Sequence, residues 1–557
     1  MMQAQDGSTD HGVFPHHLFP QPESAAEKRA FAQLQTHLAP MFKQVFPNPM
    51  APRTVIVIPS HSLDSEELSK ITGIHHYEER LLCLLMLLQL PRTQMIFVTS
   101  LPIDPTIIDY YLHLLPGIPG NHARRRLTLL SCHDSSQIPL TLKILQRPRL
   151  LQRIQKAIAV PDAAHISCFN ATNLERTLAV QLGVPLYACD PALAYLGNKS
   201  KGREIFREAG VLLPDGVENL RDDQDIVDAL TSLKEHNPAL SRAVIKLNDG
   251  FSGEGNALFS YEGCPVNGRL RPWIQKELPQ RIRFEATHET WTNYRQKFIE
   301  MGGIVESWIE GEYKRSPSVQ ARINPLRQPV IISTHDQILG GPSGQVFLGC
   351  SFPADEAYRL DIQEAGMRIA EKLRDYGVLG RFGVDFISVK TAVGWSHYAI
   401  EINLRKGGTT LPFLMLQFLT NGEYDSQTGL FHAPGGRPRY YYASDNLQNR
   451  NYRNLAPEDL IDISIANQLH FHATKQEGIV FHLMGALPEF GKFGAVCIGD
   501  SAEKAKSIYE HALVVMKAET QLPTYQEQHV YGNGNGYGRF PRTLPASHYK
   551  QPPSLSA

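Results

Sequence analysis

Four side chains in the third quarter of the chain have the types and spacing to hold a metal ion and an anion. Asp385 lies in Gly380-Arg381-Phe382-Gly383-Val384-Asp385-Phe386-Ile387-Ser388-Val389. Glu401, Asn403 and Arg405 follow in His397-Tyr398-Ala399-Ile400-Glu401-Ile402-Asn403-Leu404-Arg405. Both runs are rich in β-branched and aromatic residues and read as strands. The stretch 390–396, with Gly394, suits the loop of a hairpin. A hairpin centred near Val393 sets Asp385 opposite, or nearly opposite, Glu401. Glu401 and Asn403 are two apart, so they share a face, and Arg405 is next on it. Hard oxygen ligands of this kind suit Mg²⁺ carrying substrate phosphates, whereas a lone carboxylate would be an ordinary solvated strand residue.

Further candidates lie upstream. Lys199 precedes a helix running to Ala209, and Ala243-Val244-Ile245-Lys246 reads as a strand. That strand runs into a loop containing Gly250, Ser252, Gly253 and Gly255, with another strand at 257–261. Glycines let backbone approach a phosphate without a Cβ clash, and Lys246 at the strand end favours that reading over a plain tight hairpin. In 303–312, acidic and bulky residues alternate through Glu306, Trp308 and Ile309, the strand breaks at Gly311, and Glu312 follows. An adenine would find backbone hydrogen bonds and a flat apolar wall there, although an ordinary amphipathic strand fits as well. Beyond Arg405, the turn 406–410 could present amides to an anion.

Other chemistries are excluded or weak. Gly485 to Gly491-Lys492 has the wrong spacing for a phosphate-binding Walker A loop, and Phe493 stands where Ser or Thr belongs. No GxGxxG follows the first strand, no GxSxG elbow accompanies Ser60-His61-Ser62, and no kinase HRD or DFG set occurs. The basic stretch 121–126 reads as a solvated turn or an anionic-ligand contact, and His470, His472 and His482 as core or hydrogen-bonded histidines.

The elements that position these residues begin with strand–helix alternation over 54–190, which predicts a parallel, doubly wound sheet. Strands are expected at 54–59, 95–100, 127–132, 165–169 and 186–189, and helices at 77–90, 105–114, 140–159 and 173–182. Ligands of such sheets bind beyond the strand C-termini, here Ser60-His61-Ser62, Ser100 and Cys132-His133-Asp134. Residues 1–50 read as an irregular lead with one helix near 24–38, 421–456 as a loop or linker, 457–520 as a small α+β unit and 521–557 as a disordered tail.

A chain of 557 residues with 42% apolar content suits several packed domains. A net charge of −1 gives no general attraction to nucleic acid or to an anionic membrane, and the apolar run 81–90 is too short to span a bilayer. Seven singly scattered cysteines and no signal pattern predict a reducing, cytoplasmic setting.

The order of these parts resembles the ATP-grasp superfamily of carboxylate–amine ligases over roughly residues 191–420. The resemblance implies that Lys199 and Lys246 meet ATP phosphates, that Glu306 to Ile309 form the adenine hinge, and that Glu310 or Glu312 reaches the ribose. It makes Asp385, Glu401 and Asn403 ligands of Mg²⁺ (or Mn²⁺) and Arg405 the active-site arginine. Segments such as His75-His76-Tyr77-Glu78-Glu79-Arg80 and Phe481-His482-Leu483-Met484-Gly485-Ala486 are similar to pheganomycin-type peptide ligases. Those proteins place a Rossmann-like domain (here 51–190) before the ATP-grasp module and a small domain after it. The implied activity is peptide-type ligation through an acyl phosphate, on small-molecule or peptide substrates, with a homodimer as the family-level expectation. Two other readings stay open: a non-catalytic ATP-binding regulator on the same fold, and carboxylate activation with a non-amine acceptor.

Overall fold

The computed structural model describes residues 19–63, 65–250, 255–265, 268–286, 289–340 and 346–521. Ser252 and Gly253 of the glycine loop, and the tail beyond 521, lie outside the described residues.

The architecture is mixed α/β, built on three main sheets. The first is a four-stranded parallel sheet ordered Leu127–Ser131, Thr93–Thr99, Arg53–Ile58, Ala164–Cys168. Its central strands read as continuous apolar runs because both faces are covered. Val55, Val57, Met95 and Phe97 enter one core, while Ile56, Ile58, Ile96 and Val98 enter another. The strand expected at 186–189 reduces to a single parallel bridge between Ile166 and Leu186. Pro185, which lacks an N–H, contributes only its carbonyl to Ile166. The helix expected over 140–159 is two helices, Leu140–Leu145 and Pro148–Ala157, because Pro148 cannot continue the first. The stretch 121–126, expected as a solvated turn or an anionic-ligand contact, buries Ala123 and Arg126, and Arg126 donates to the carbonyls of Leu88, Leu90 and Thr93.

The second sheet is antiparallel, ordered Gly216–Leu220, Gly303–Ser307, Arg242–Leu247, Asn256–Ser260, Arg283–Phe284. The third has nine strands and contains the hairpin Gly380–Thr391 with Gly394–Asn403. Along Gly380–Thr391, Phe382, Val384 and Phe386 are buried in one core with the helix Arg359–Asp375. That helix presents Ile362, Ala365, Ile369, Ala370 and Leu373, a 3.6-residue stripe. Gly366 in the same stripe admits Val319, since a Cβ there would lie 2.8 Å from Val319 Cγ1.

The stretch 421–456 is not a plain loop. It carries Glu423–Asp425, Leu430–His432 and Tyr440–Gln448. The last of these pairs with Val346–Phe352 on one side and Lys492–Gly499 on the other. The β-favouring Tyr440-Tyr441-Tyr442 is masked in composition by the Gly, Arg and Asn around it. No helix among the described residues is long and apolar enough to cross a membrane.

Candidate active site

The hairpin register places Asp385 opposite Glu401 and Gly383 opposite Asn403. A bulge between Asp385 and Phe386 sets Ile400 as an extra residue on the second strand, because the pairing resumes at Phe386 with Ala399. The bulge breaks the period of two: Ala399 and Ile402, three apart, both enter the core, while Ile400, Glu401 and Asn403 all line one cavity. That cavity has a volume of about 790 Å³, within the range of small-molecule sites.

The acidic groups are tightly held. Asn403 Nδ2 donates to Asp385 Oδ2 at 2.9 Å, and Gln337 Nε2 donates to Asp385 Oδ1 at 2.7 Å. Lys199 Nζ donates to Glu401 Oε1 at 2.6 Å. Burial, with the Glu401 charge beside it, pushes the Asp385 carboxyl up to about 7, against the pull of Gln337, Arg405 and Lys199. Burial also opposes ionisation of Glu401, but Lys199, with Arg405 and Lys246, outweighs it and holds that carboxyl below its ordinary value. Burial lowers Arg405, while Glu401 and Asp385 favour its charge. Two carboxyl groups and an amide oxygen gathered beside cationic side chains fit a hard divalent cation bearing phosphates.

Lys199 begins the helix Lys199–Glu208, capped by Asn198, whose side chain accepts from the Lys201 N–H. Its own N–H donates to the Asn248 carbonyl, and Ser200 donates to the Asn248 side chain, which ties this helix to the start of the glycine loop. Gly250 and Gly255 line the cavity and pack closely, since a Cβ on Gly250 would lie 3.3 Å from Gly255 Cα.

Lys246 and Glu306 form a buried ion pair on neighbouring strands, where Lys246 faces Ile304 and Val244 faces Glu306. Arg203, one helical turn after Lys199, donates to the other Glu306 oxygen at 3.0 Å and to Glu218 at 3.1 Å. Glu306 therefore positions Lys246. Glu306, Trp308 and Ile309 all line the cavity. The Trp308 backbone N–H is already committed to the Arg242 carbonyl at 3.1 Å, and the cationic groups of Arg242 and Lys314 lie 4.9 and 4.7 Å from its ring centroid. Glu310 pairs with Arg242 at 2.7 Å, and Glu312 is exposed and outside the cavity lining.

Further lining residues come from the elements before Asp190 and after Arg405, and they include His61 of the strand end singled out in the sequence. His61 and Phe169, beyond the ends of two parallel strands, stack at 4.2 Å on the cavity wall. Tyr77 and Arg80 come from the tight 3-10 segment Ile74–Gln89, which takes the place of the helix expected over 77–90. Arg80 pairs with Asp445, and Lys492 donates to the Tyr77 hydroxyl at 2.7 Å. Ser60 and Ser62 bond each other, and Ser62 donates to Glu175, so neither serves His61 as a triad nucleophile. Ser100 holds the buried Glu78 instead of lining the cavity.

The comparisons with known proteins agree with this geometry. The chain belongs to the ATP-grasp superfamily of carboxylate–amine ligases, enzymes that form a C–N bond at the cost of ATP. The family described as "IQCH-like, ATP-grasp" matches residues 191–280 and 273–427, and the "PGM1 C-terminal domain" matches 459–512. L-propargylglycine–L-glutamate ligase of Streptantibioticus cattleyicolor is 31% identical over 461 residues, covering 81% of this chain and 92% of that protein. IQ motif-containing protein H of Danio rerio is 21% identical over 529 residues, covering 86% of this chain and 49% of that protein, so the chain spans about half of that relative. A structure of the biotin carboxylase domain of Hydrogenobacter thermophilus 2-oxoglutarate carboxylase, with MgADP and bicarbonate, shares the fold. It aligns with a TM-score of 0.50 and 11% identity, covering 83% of this chain and 89% of that one.

Proposed function

We propose that the protein uses Mg-ATP to join a carboxylate to an amine through an acyl phosphate. The observation that carries this reading is the convergence of Asp385, Glu401, Asn403, Arg405, Lys199 and Lys246 on one cavity. Asp385, Glu401 and Asn403 would hold Mg²⁺, which supplies charge neutralisation at phosphate oxygens. Lys199 and Lys246, each set by a carboxylate, neutralise phosphate charge, with Gly250 and Gly255 giving the backbone close access. The substrate carboxylate takes the γ-phosphoryl group and ADP leaves; the amine then attacks the acyl carbon and inorganic phosphate leaves. Arg405 stabilises negative charge on the acyl oxygen. The protein's share is positioning and neutralisation.

The relative from Streptantibioticus cattleyicolor is named for joining two amino acids. By analogy we assign amino acids or short peptides as substrates. The cavity end formed by His61, Tyr77, Arg80, Asp445 and Lys492 offers both charge signs for their termini.

Arg405→Ala is the direct test of the assigned chemistry. Turnover should fall by about 10²-fold or more, as for other donors to a developing oxyanion, while ATP affinity stays within a few-fold. Unchanged ligation would remove Arg405 from the mechanism.

A further inference from the structure

The motif His75-His76-Tyr77-Glu78-Glu79-Arg80 contributes Tyr77 and Arg80 to the cavity, but its two histidines face elsewhere. They begin the 3-10 segment Ile74–Gln89 and meet Glu489 of the short helix Ala486–Phe490. His76 Nε2 lies 3.2 Å and His75 Nε2 3.7 Å from the same oxygen, Glu489 Oε2. The ligand atoms of all three residues fall within 4.8 Å of one another. Zinc–nitrogen and zinc–oxygen bonds of about 2.0–2.1 Å set tetrahedral edges of roughly 3.4 Å, which matches the two measured separations.

The far side of His76 is built as a metal-binding imidazole requires. His76 Nδ1 lies 3.3 Å from Glu79 Oε1, and the other Glu79 oxygen accepts the Gly485 N–H at 3.2 Å. In the neutral tautomer whose Nδ1–H goes to Glu79, the Nε2 lone pair of His76 faces the Glu489 carboxylate, and a bound cation would sit between these two acceptors in the place that a second ring proton otherwise takes. A carboxylate behind a histidine is the usual support of a zinc ligand. Gly485 makes room for it: a Cβ there would lie 2.2 Å from Glu79 Oε1 and 2.7 Å from His76 Nδ1. Phe490 locks the same junction from the other side, where a Cβ on Gly73 would lie 2.8 Å from the Phe490 ring. The side chains of His75 and His76 are 17% and 16% exposed and that of Glu489 is 54% exposed, which leaves a water-accessible fourth position.

We propose that His75, His76 and Glu489 form a zinc-type site that clips the segment carrying Tyr77 and Arg80 to the segment carrying Lys492. Imidazole ligands favour a transition metal over Mg²⁺, so the site is chemically separate from the nucleotide's cation and stands independently of the ligase reading.

The test uses the full chain without a polyhistidine tag, stripped with chelator and titrated with zinc chloride in excess Mg²⁺. One Zn²⁺ per chain should bind, and zinc should raise the melting temperature. Glu489→Gln, a change at a largely exposed side chain, should weaken binding at least tenfold and abolish the thermal shift, with circular dichroism unchanged. The His75→Asn/His76→Asn double variant should lose the site entirely. Zinc uptake by the wild type no greater than that of the double variant, or equal affinity in Glu489→Gln, would overturn the proposal. The first of those outcomes would mean that a proton on His76 bridges Glu79 and Glu489.

Discussion

Lys199 Nζ lies 2.6 Å from Glu401 Oε1, joining residues 202 apart in sequence at the floor of the cavity. The lysine side chain is 8% exposed and the carboxylate 28%. The pair fixes a helix N-terminus to the hairpin that carries Asp385 and Asn403 and favours the ionised form of Glu401. Lys199→Met should therefore raise the dissociation constant for ATP about tenfold, roughly 1.4 kcal/mol. Nucleotide titration by calorimetry reads this directly; wild-type affinity in the variant would show that Lys199 serves packing alone.

Asp385 is held by two amide donors, Gln337 and Asn403, and has no cationic hydrogen-bond partner among those resolved for the described residues. Asp385→Asn preserves size but removes the charge a cation needs. Turnover should fall about 10²–10³-fold, and raising Mg²⁺ or substituting Mn²⁺ should not restore it. The check is activity against metal concentration for both proteins. Full recovery at high Mg²⁺ would mean that Asp385 only tunes affinity.

Glu78 supplies a pH prediction remote from the chemistry. Burial pushes its carboxyl from 4.5 up to about 7, although the Ser100 hydroxyl and N–H, with Lys143, favour the charged form. A raised carboxyl means the folded state binds the extra proton. Its stabilising effect is complete below pH 4.5 and is lost as pH rises to about 7. The difference is on the order of 3 kcal/mol at most. Glu78→Gln should melt above wild type at pH 8, with the gap closing toward pH 4.5; thermal melts at the two pH values decide it.

Sequence alone exposed the site where its signal was local. Asp385, Glu401 and Asn403 stood out because a hairpin makes strand alternation and a short loop sufficient to pair them. Lys199 and Lys246 were legible from their places at a helix start and a strand end. The bulge at Ile400 was not, because it answers to the packing of Ala399 and Ile402 beneath the sheet. Gln337, Arg80, Asp445 and Lys492 are single polar residues on distant elements, and no spacing connects them. Arg203 was within reach, four residues after Lys199 and hence on the same helix face. The strand Tyr440–Gln448 was lost because a Gly- and Arg-rich neighbourhood hid its three tyrosines.

Incubation of the protein with Mg-ATP and a pool of amino acids and short peptides tests the central claim most directly, with ADP, phosphate and product mass measured together. The account predicts one ADP and one phosphate for each product, and a product mass equal to acid plus amine less one water. ATP consumption that yields a stable phosphorylated compound, an ester or a thioester, or no consumption with any acid and amine, would contradict it.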